Sequence, residues 1–341
     1  MHSGDDQDAG PDGVAAFNPH RELLFGVAYR VLGRAVDAED VVQDAWLRWR
    51  DVDHARVVDV RAYLVKVTTR LAIDRLRSAQ RRRETYVGPW LPEPILTGTG
   101  HTRAGLPGSG PHATNVAGSS VAGSSLTGGG LTSPDVADEV ARAETVSFAL
   151  LVVLETLSPL ERAVFVLREA FALSYAEIGE VLDRTEEAVR QLARRARDHV
   201  RERRPRFDTD HATQRRVTEQ FLAASMSGDL ASLMRVLAPD VTLHGDGGGV
   251  AKGPLRVIST ADKVGRFLLG MATNAPPEPR AFLATVNGQV ALVVTSRGVP
   301  HSVLALEVAD GRVTTVRLIA NPDKLRGLRD IERVGTPIPL G

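Results

Sequence analysis

The sequence predicts a multidomain chain, two all-α domains followed by a C-terminal α+β domain, and three observations carry that expectation. At 341 residues the chain is two to three domains long, taking about 100–200 residues per domain. Apolar residues recur at helical spacing through the first two blocks. Beyond Thr213 three further helical stretches give way to β-type runs separated by hairpin-turn dipeptides.

In the first block, Val14 to Tyr86, the helical positions are Leu24, Val27, Ala28 and Val31, then Val42, Ala45, Trp46 and Trp49, then Leu64, Val67 and Leu71. The second block, Ser133 to Arg204, repeats the texture and predicts helices near 135–156, 159–170, 174–183 and 185–203. Ser158-Pro159 supplies an N-cap followed by proline at the first helical position. From Thr213 onward, helices are expected at 213–226, 229–237 and 259–272. Strands follow at Ala281–Val286, Gln289–Ser296, His301–Val308 and Arg312–Ile319. Asn287-Gly288 and Asp310-Gly311 lie between successive runs as hairpin turns. Helices followed by a meander indicate helices on one face of a curved antiparallel sheet.

Two breaks divide the blocks. Ile95 to Pro134 holds 10 Gly and 6 Ser with Arg103 as its only full charge. It cannot offset its ordering entropy by apolar burial and reads as a flexible tether. Arg203 to Thr213 is the second, with Pro205 in a polar run. The expected organisation is a disordered N-terminus at 1–13, domains at 14–88, 135–204 and 213–325, a linker at 89–134 and a tail at 326–341.

Lys+Arg and Asp+Glu both total 42, but the charge is segregated. Arg61 to Tyr86 carries 8 basic residues against 2 acids, and Arg184 to Arg206 carries 9 Arg against 4 acids. These are local basic patches rather than a uniform coat. Cysteine is absent, which excludes disulfides, thiol nucleophiles and thiolate metal sites. No apolar run approaches the ~18 residues needed to cross a bilayer, and no basic region leads into an apolar run at the N-terminus. A cytoplasmic protein without cofactor or membrane association is expected.

Tyr175–Arg194 has the spacing of a helix-turn-helix, with Ile178, Leu182, Val189 and Leu192 inward, Gly179 at the close crossing and Asp183 at the turn. The second helix then exposes Glu186, Glu187, Arg190, Gln191, Arg194 and Arg195 toward a major groove. A plain helical hairpin with a solvated basic face is the alternative. In the first block, Asp37, Asp40, Gln43 and Asp44 form one polar side of an amphipathic helix suited to a basic helical partner. A basic helix with Asp74, Arg77 and Arg81 follows.

The strings DAEDVVQDAWLRW and RAYLVKVTTRLAIDRLR resemble region 2 of bacterial extracytoplasmic-function sigma factors. LSPLERAVFVLREAFALSYAEIGEVLD and EEAVRQLARRAR resemble region 4 of the same family. The resemblance implies that Asp37, Asp40, Gln43 and Asp44 dock on the β′ clamp helices of RNA polymerase. It also implies that Asp74, Arg77 and Arg81 recognise and open the −10 element, and that region 4 reads the −35 element and contacts the β flap. Promoter elements roughly 17 base pairs apart lie about 60 Å from one another at ~3.4 Å per pair, within reach of a 40-residue tether at ~3.3 Å per residue. The loop Asp51–Asp59 is the expected receptor for an unstacked base.

The third block resembles the cone-shaped SnoaL-like group, and three strings agree with the sigma-factor subgroup that carries such an extension. They are Trp90-Leu91-Pro92-Glu93-Pro94, Asp246-Gly247-Gly248-Gly249 and Asn321-Pro322-Asp323-Lys324-Leu325. The resemblance implies control within one chain. The physical expectation is that the third domain holds the segment at Trp90, Leu91 and Pro92 and the Asn321–Leu325 string near regions 2 and 4, and so biases how those two domains are spaced. A segment that merely caps the first domain is the alternative. Relatives of this fold enclose an apolar pocket and use Asp or His as general base, which makes His244, Asp246 and His301 the candidates. The blander reading has Asp246 and its glycines as a turn after a strand Val241–His244. Two competing functions are a one-component helix-turn-helix regulator sensing a small molecule in the C-terminal pocket, and a cyclase- or isomerase-type enzyme. The first has no use for the acidic Asp37–Asp44 surface.

Overall fold

The computed structural model describes residues 11–83, 85–97, 148–203, 211–251 and 253–339. The first domain is built of α1 (Pro11–Phe17), α2 (Arg21–Leu32), α3 (Ala35–Arg50) and α4 (Val60–Arg83). Leu24, Val27, Ala28 and Val31 of α2 pack against Val41, Val42 and Trp49 of α3 and Leu64, Ala72 and Leu76 of α4. The Trp49 indole donates to the Gly13 carbonyl at 2.8 Å, tying α1 to this core.

The second domain comprises α5 (Phe148–Leu154), α6 (Pro159–Phe165) running into a π turn at Val166–Ala170, α7 (Tyr175–Leu182) and α8 (Glu186–Arg203). Both α6 and α7 begin in a reciprocal cap, Ser158 with Glu161 and Ser174 with Glu177, which satisfies two otherwise unpaired N–H groups at each end. The expected helix at 159–170 thus keeps its span but changes winding after Phe165. The part of the expected 135–156 helix before Phe148 lies outside the described residues. α7 and α8 form the expected helix-turn-helix: Asp183 adopts φ 52°, and a Cβ on Gly179 would meet the Arg184 carbonyl oxygen at 2.7 Å. Only glycine permits that crossing.

The third domain places α9 (His211–Met226), α10 (Leu230–Val236) and α11 (Ala261–Thr273) on one face of a seven-stranded sheet. Its strands are β1 (Leu237–Asp246), β2 (Ile258–Ser259), β3 (Pro279–Val286), β4 (Gln289–Ser296), β5 (Val299–Ala309), β6 (Arg312–Ile319) and β7 (Thr336–Ile338), in the order β2-β1-β6-β5-β4-β3-β7. All neighbours are antiparallel except β1 and β6. Helices on one face of a largely antiparallel sheet are the expected α+β arrangement. Side chains alternate across the sheet. Leu243, Leu306, Val316 and Leu318 face the helices. Phe282, Val293, Val303 and Ile319 face the other way, onto Leu91 and Phe148 from outside the domain.

Two expected boundaries move. The tail begins no domain of its own: Arg326–Leu328 and α12 (Ile331–Val334) cover the sheet, and β7 pairs with β3 from Ala281 to Leu283. The third domain therefore runs to Ile338. The linker also starts later than 89. Leu96 bridges Val286, and the Thr97 N–H donates to the Thr285 carbonyl at 2.9 Å, so residues up to Thr97 are held on the sheet. The rest of the tether lies outside the described residues, as do residues 1–10 of the expected disordered N-terminus; Pro11–Gly13 belong to α1.

Candidate functional site: a three-domain junction

The three domains meet around one buried ion pair. Asp246 closes β1 and is 1% exposed; Lys324 is 2% exposed, and its Nζ stands 2.6 Å from Asp246 Oδ2. Local sequence aims the lysine. Asn321 accepts from the Asp323 N–H at 3.0 Å and Pro322 opens a 3₁₀ turn, so the turn projects Lys324 inward while Leu325 enters the core. Lys324 also donates to the Leu91 carbonyl at 2.5 Å and lies 4.0 Å from the Trp90 ring centroid and 5.2 Å from that of Tyr86. Two aromatic faces and two oxygens take the place of water around the ammonium.

Asp246 is saturated from several directions. Its carboxylate accepts from the Leu91 N–H at 2.8 Å, the Tyr86 hydroxyl at 2.5 Å and the Gly248 N–H at 3.2 Å. Burial, and then the hydrogen bond to Asp246, hold the Tyr86 hydroxyl well above the usual phenol range. Asn321 donates to that hydroxyl at 2.9 Å. Gly248 has φ 64°, and a Cβ there would fall 2.4 Å from the Asn321 amide, so the glycine-rich string permits the loop to close on the 321–325 turn.

The segment Trp90–Pro94 carries this pair to the first domain. Arg34, the N-cap of α3, makes no side-chain cap. Glu93 supplies one from a distance: its Oε2 accepts the Ala35 N–H at 2.9 Å, and its own N–H donates to the Gly33 carbonyl at 2.8 Å. At 1% exposure, burial raises the Glu93 carboxyl, opposed by the backbone hydrogen bond from Ala35 and by Arg34. The Tyr29 hydroxyl donates to the Glu93 carbonyl at 2.6 Å and accepts from the Asn287 amide at 2.5 Å, while Asn287 Oδ1 accepts the Ile95 N–H at 3.0 Å. The segment therefore caps the first domain and pins it to the sheet at once.

The second domain docks on the first. Their apolar side chains form one continuous core. Arg162 donates from Nε to the Arg30 carbonyl at 2.9 Å and pairs with Glu155 at 2.5 Å. Arg30, stacked on Phe171, is lowered to about 10 by burial. At the periphery Arg70 of α4 pairs with Asp183 and donates from Nε to the Val181 carbonyl at 2.9 Å; Lys66 lies 3.7 Å from Asp183. The turn of the helix-turn-helix is thus bound to the basic helix of the first domain.

The expected surfaces fall as follows. Asp40, Gln43 and Asp44 are open to solvent on α3, whereas Asp37 is largely buried beside Arg75. Asp74 and Arg77 are exposed and paired at 3.1 Å; Arg81 is in α4, and its side chain lies outside the described residues. Glu186, Glu187, Arg190, Gln191, Arg194 and Arg195 share the open face of α8, with Glu186 holding Arg190 at 2.5 Å. In the 51–59 loop, His54 stacks on Trp49 at 4.2 Å. Trp90, Leu91, Asp246, Asn321, Lys324 and Leu325 converge at the junction; Pro92 is buried in the same segment, while Pro322 and Asp323 face solvent.

The three general-base candidates sit in different surroundings. Asp246 is consumed by Lys324 and is no solvent-facing turn residue. His244 alternates with Leu243 and so points away from the helix-covered face; burial, then Arg317, lowers it. His301 is exposed. Sequence reasoning missed Tyr29, Tyr86, Asn287, Arg70 and Arg75 as junction or surface partners. Glu93 stood inside a string already singled out; Asn287 was legible only as a turn residue.

Comparison with known proteins agrees with this architecture. The sigma-70 region 2 family matches residues 16–82 and the sigma-70 region 4 family matches residues 147–200, defining the class as a sigma-70-type protein. The curated relative SigJ, an ECF RNA polymerase sigma factor of Mycobacterium tuberculosis, is 38% identical over 96% of this chain and 98% of its own. A probable ECF sigma factor of that organism, SigI, is 33% identical over 92% and 95%. The crystal structure of SigJ superposes with a TM-score of 0.64 at 36% identity, covering 92% of this chain and 98% of that one. The chain belongs to the extracytoplasmic-function sigma factor family.

Proposed function

We propose that this chain is a promoter-specificity subunit of RNA polymerase held closed by its own C-terminal domain. Region 2 docks on the polymerase β′ clamp helices through Asp40, Gln43 and Asp44 with Asp37 behind them, and reads the −10 element with Asp74, Arg77 and Arg81. The α8 residues Glu186, Glu187, Arg190, Gln191, Arg194 and Arg195 read the −35 element, and region 4 meets the β flap. Such action takes place in the cytoplasm, where the polymerase and promoters are. The third domain serves as a cis-acting brace without chemistry of its own, a reading supported by the full engagement of Asp246 with Lys324, Tyr86 and Leu91.

One observation carries the proposal. The helix-turn-helix turn at Asp183 rests directly on Arg70 and Lys66 of the helix proposed for the −10 element. Two readers in contact cannot occupy elements about 60 Å apart, so promoter engagement requires regions 2 and 4 to separate. The 86–97 segment, clamped on the third domain around Asp246 and Lys324, holds region 2 in place at one end of that transition.

The test uses the natural absence of cysteine. Probes on Arg50→Cys and Asp198→Cys, at exposed positions of α3 and α8, report the separation of the domains. A short distance is expected in the free chain and a lengthened one with core polymerase and promoter DNA, alongside promoter-dependent run-off transcription. Transcription with an unchanged distance refutes the closed-state reading, and failure to transcribe refutes the promoter-directing one.

A further inference from the structure

On α3, Asp37, Asp40 and Asp44 follow one another at i, i+3 and i+7, one above the next on a single helical face. A single side chain from α4 meets all three. Arg75 stands with Nε 3.6 Å from Asp37, hydrogen-bonds Asp40 through Nη2, and brings Nη1 to 3.9 Å from Asp44. Each nitrogen of the fork thus faces a different carboxylate. Arg34 adds a weaker contact to Asp37 at 3.9 Å.

We infer that Arg75 is a positioning residue for polymerase docking: it sets the carboxylates of the docking face in place before a basic partner arrives. This rests on the proposed docking role of Asp37, Asp40 and Asp44. Like charges on one helical face repel, and their side chains spread when nothing gathers them. A planar guanidinium with donors in a fixed fork orients each carboxylate while leaving the outward oxygens of Asp40 and Asp44 available. Three carboxylates against Arg75 and the longer Arg34 contact keep the face acidic, so the partner's cations are still attracted. Arg75 sits between Asp74 and Arg77, so the same side chain fixes the docking helix to the helix proposed to read DNA.

The inference opposes the simplest electrostatic expectation. Removing Arg75 makes the face more acidic, and long-range steering alone would then strengthen binding to a basic partner. Pre-positioning requires the reverse, because the freed side chains must be ordered during binding.

The experiment titrates fluorescently labelled full-length chain with purified core RNA polymerase at several salt concentrations. Arg75→Gln is expected to weaken binding about five- to tenfold, chiefly through faster dissociation. Arg75→Lys, which keeps the charge and α3–α4 packing but loses the fork, is expected to restore part of the loss. In an Asp40→Asn/Asp44→Asn background, Arg75→Gln is expected to add little, as two members of one network do. A merely structural arginine would cost the same in both backgrounds. Equal or tighter binding by Arg75→Gln, or an undiminished cost in the Asn background, overturns the inference while leaving the docking reading intact. Unchanged binding by Asp40→Asn/Asp44→Asn overturns the docking reading, and the inference with it.

Discussion

Two ion pairs sit at the contacts between domains, one inside the third domain where the 86–97 segment lies on it and one between the first and second domains, and they differ in almost every physical respect. Asp246–Lys324 is sealed from water, with every oxygen and the ammonium engaged by neighbouring groups. Arg70–Asp183 lies at the periphery, with the aspartate side chain 70% exposed. A buried pair holds poorly as a source of net stability but strongly as a specification of geometry, because breaking it strands a charge. An exposed pair is weak, screened by salt and easily exchanged. The first is built to persist through the working cycle; the second is suited to release.

The sharpest way to break this contrast is at the buried pair. Asp246→Ala leaves Lys324 desolvated without its counter-charge and deprives the Leu91 N–H and the Tyr86 hydroxyl of their acceptor. A loss of about 3–5 kcal/mol is expected, measured by urea unfolding, with limited proteolysis showing the 86–97 segment newly cleaved. Pairing it with Lys324→Met should return a large share of that loss, since no charge is then left stranded.

A smaller effect is expected from pH acting on Glu93. Burial raises its carboxyl above the usual range, so the folded chain holds this proton to higher pH than the unfolded chain does. The stability tied to the protonated form is complete below the ordinary carboxyl value and is lost as pH rises through the raised one. Unfolding free energy measured between about pH 4 and pH 7 should carry this downward contribution, and Glu93→Gln should remove it. An identical slope in the variant would show that the carboxyl does not titrate separately in the two states.

The exposed latch should respond least in stability and most in conformation. Asp183→Asn is expected to change unfolding free energy by less than about 1 kcal/mol. It should shift the free chain toward separated domains, read as a larger radius by small-angle scattering. Wild-type chain in high salt should show the same shift, and the variant should be insensitive to salt in that range.

The local parts of this architecture are legible in the sequence because local physics decides them. Ser158 with Glu161, the left-handed Asp183 and the Asn287-Gly288 hairpin each declare themselves within a few residues. The Asn321–Leu325 string likewise contains its own cap, proline and inward lysine. What it does not contain is the identity of the lysine's partners. Leu91 lies 233 positions away and Asp246 78, and no periodicity reports such distances. Glu93 looks like an ordinary acid between two prolines until the uncapped end of α3 is found beside it. Composition also misplaced the start of the linker and the end of the third domain. A proline-rich segment and a short terminal run look like connections, but sheet edges accept any backbone that presents hydrogen-bonding groups, whatever its side chains.

That tolerance bears on the handling of the protein. β3 is covered along its outer side by β7 at one end and by Leu96 and Thr97 at the other. A chain trimmed before Thr336 or relaxed at its linker uncovers a row of unpaired peptide groups flanked by Phe282 and Leu283, the template on which foreign strands aggregate. Affinity tags therefore belong at the amino terminus, and preparations of shortened variants should be kept dilute or supplied promptly with polymerase.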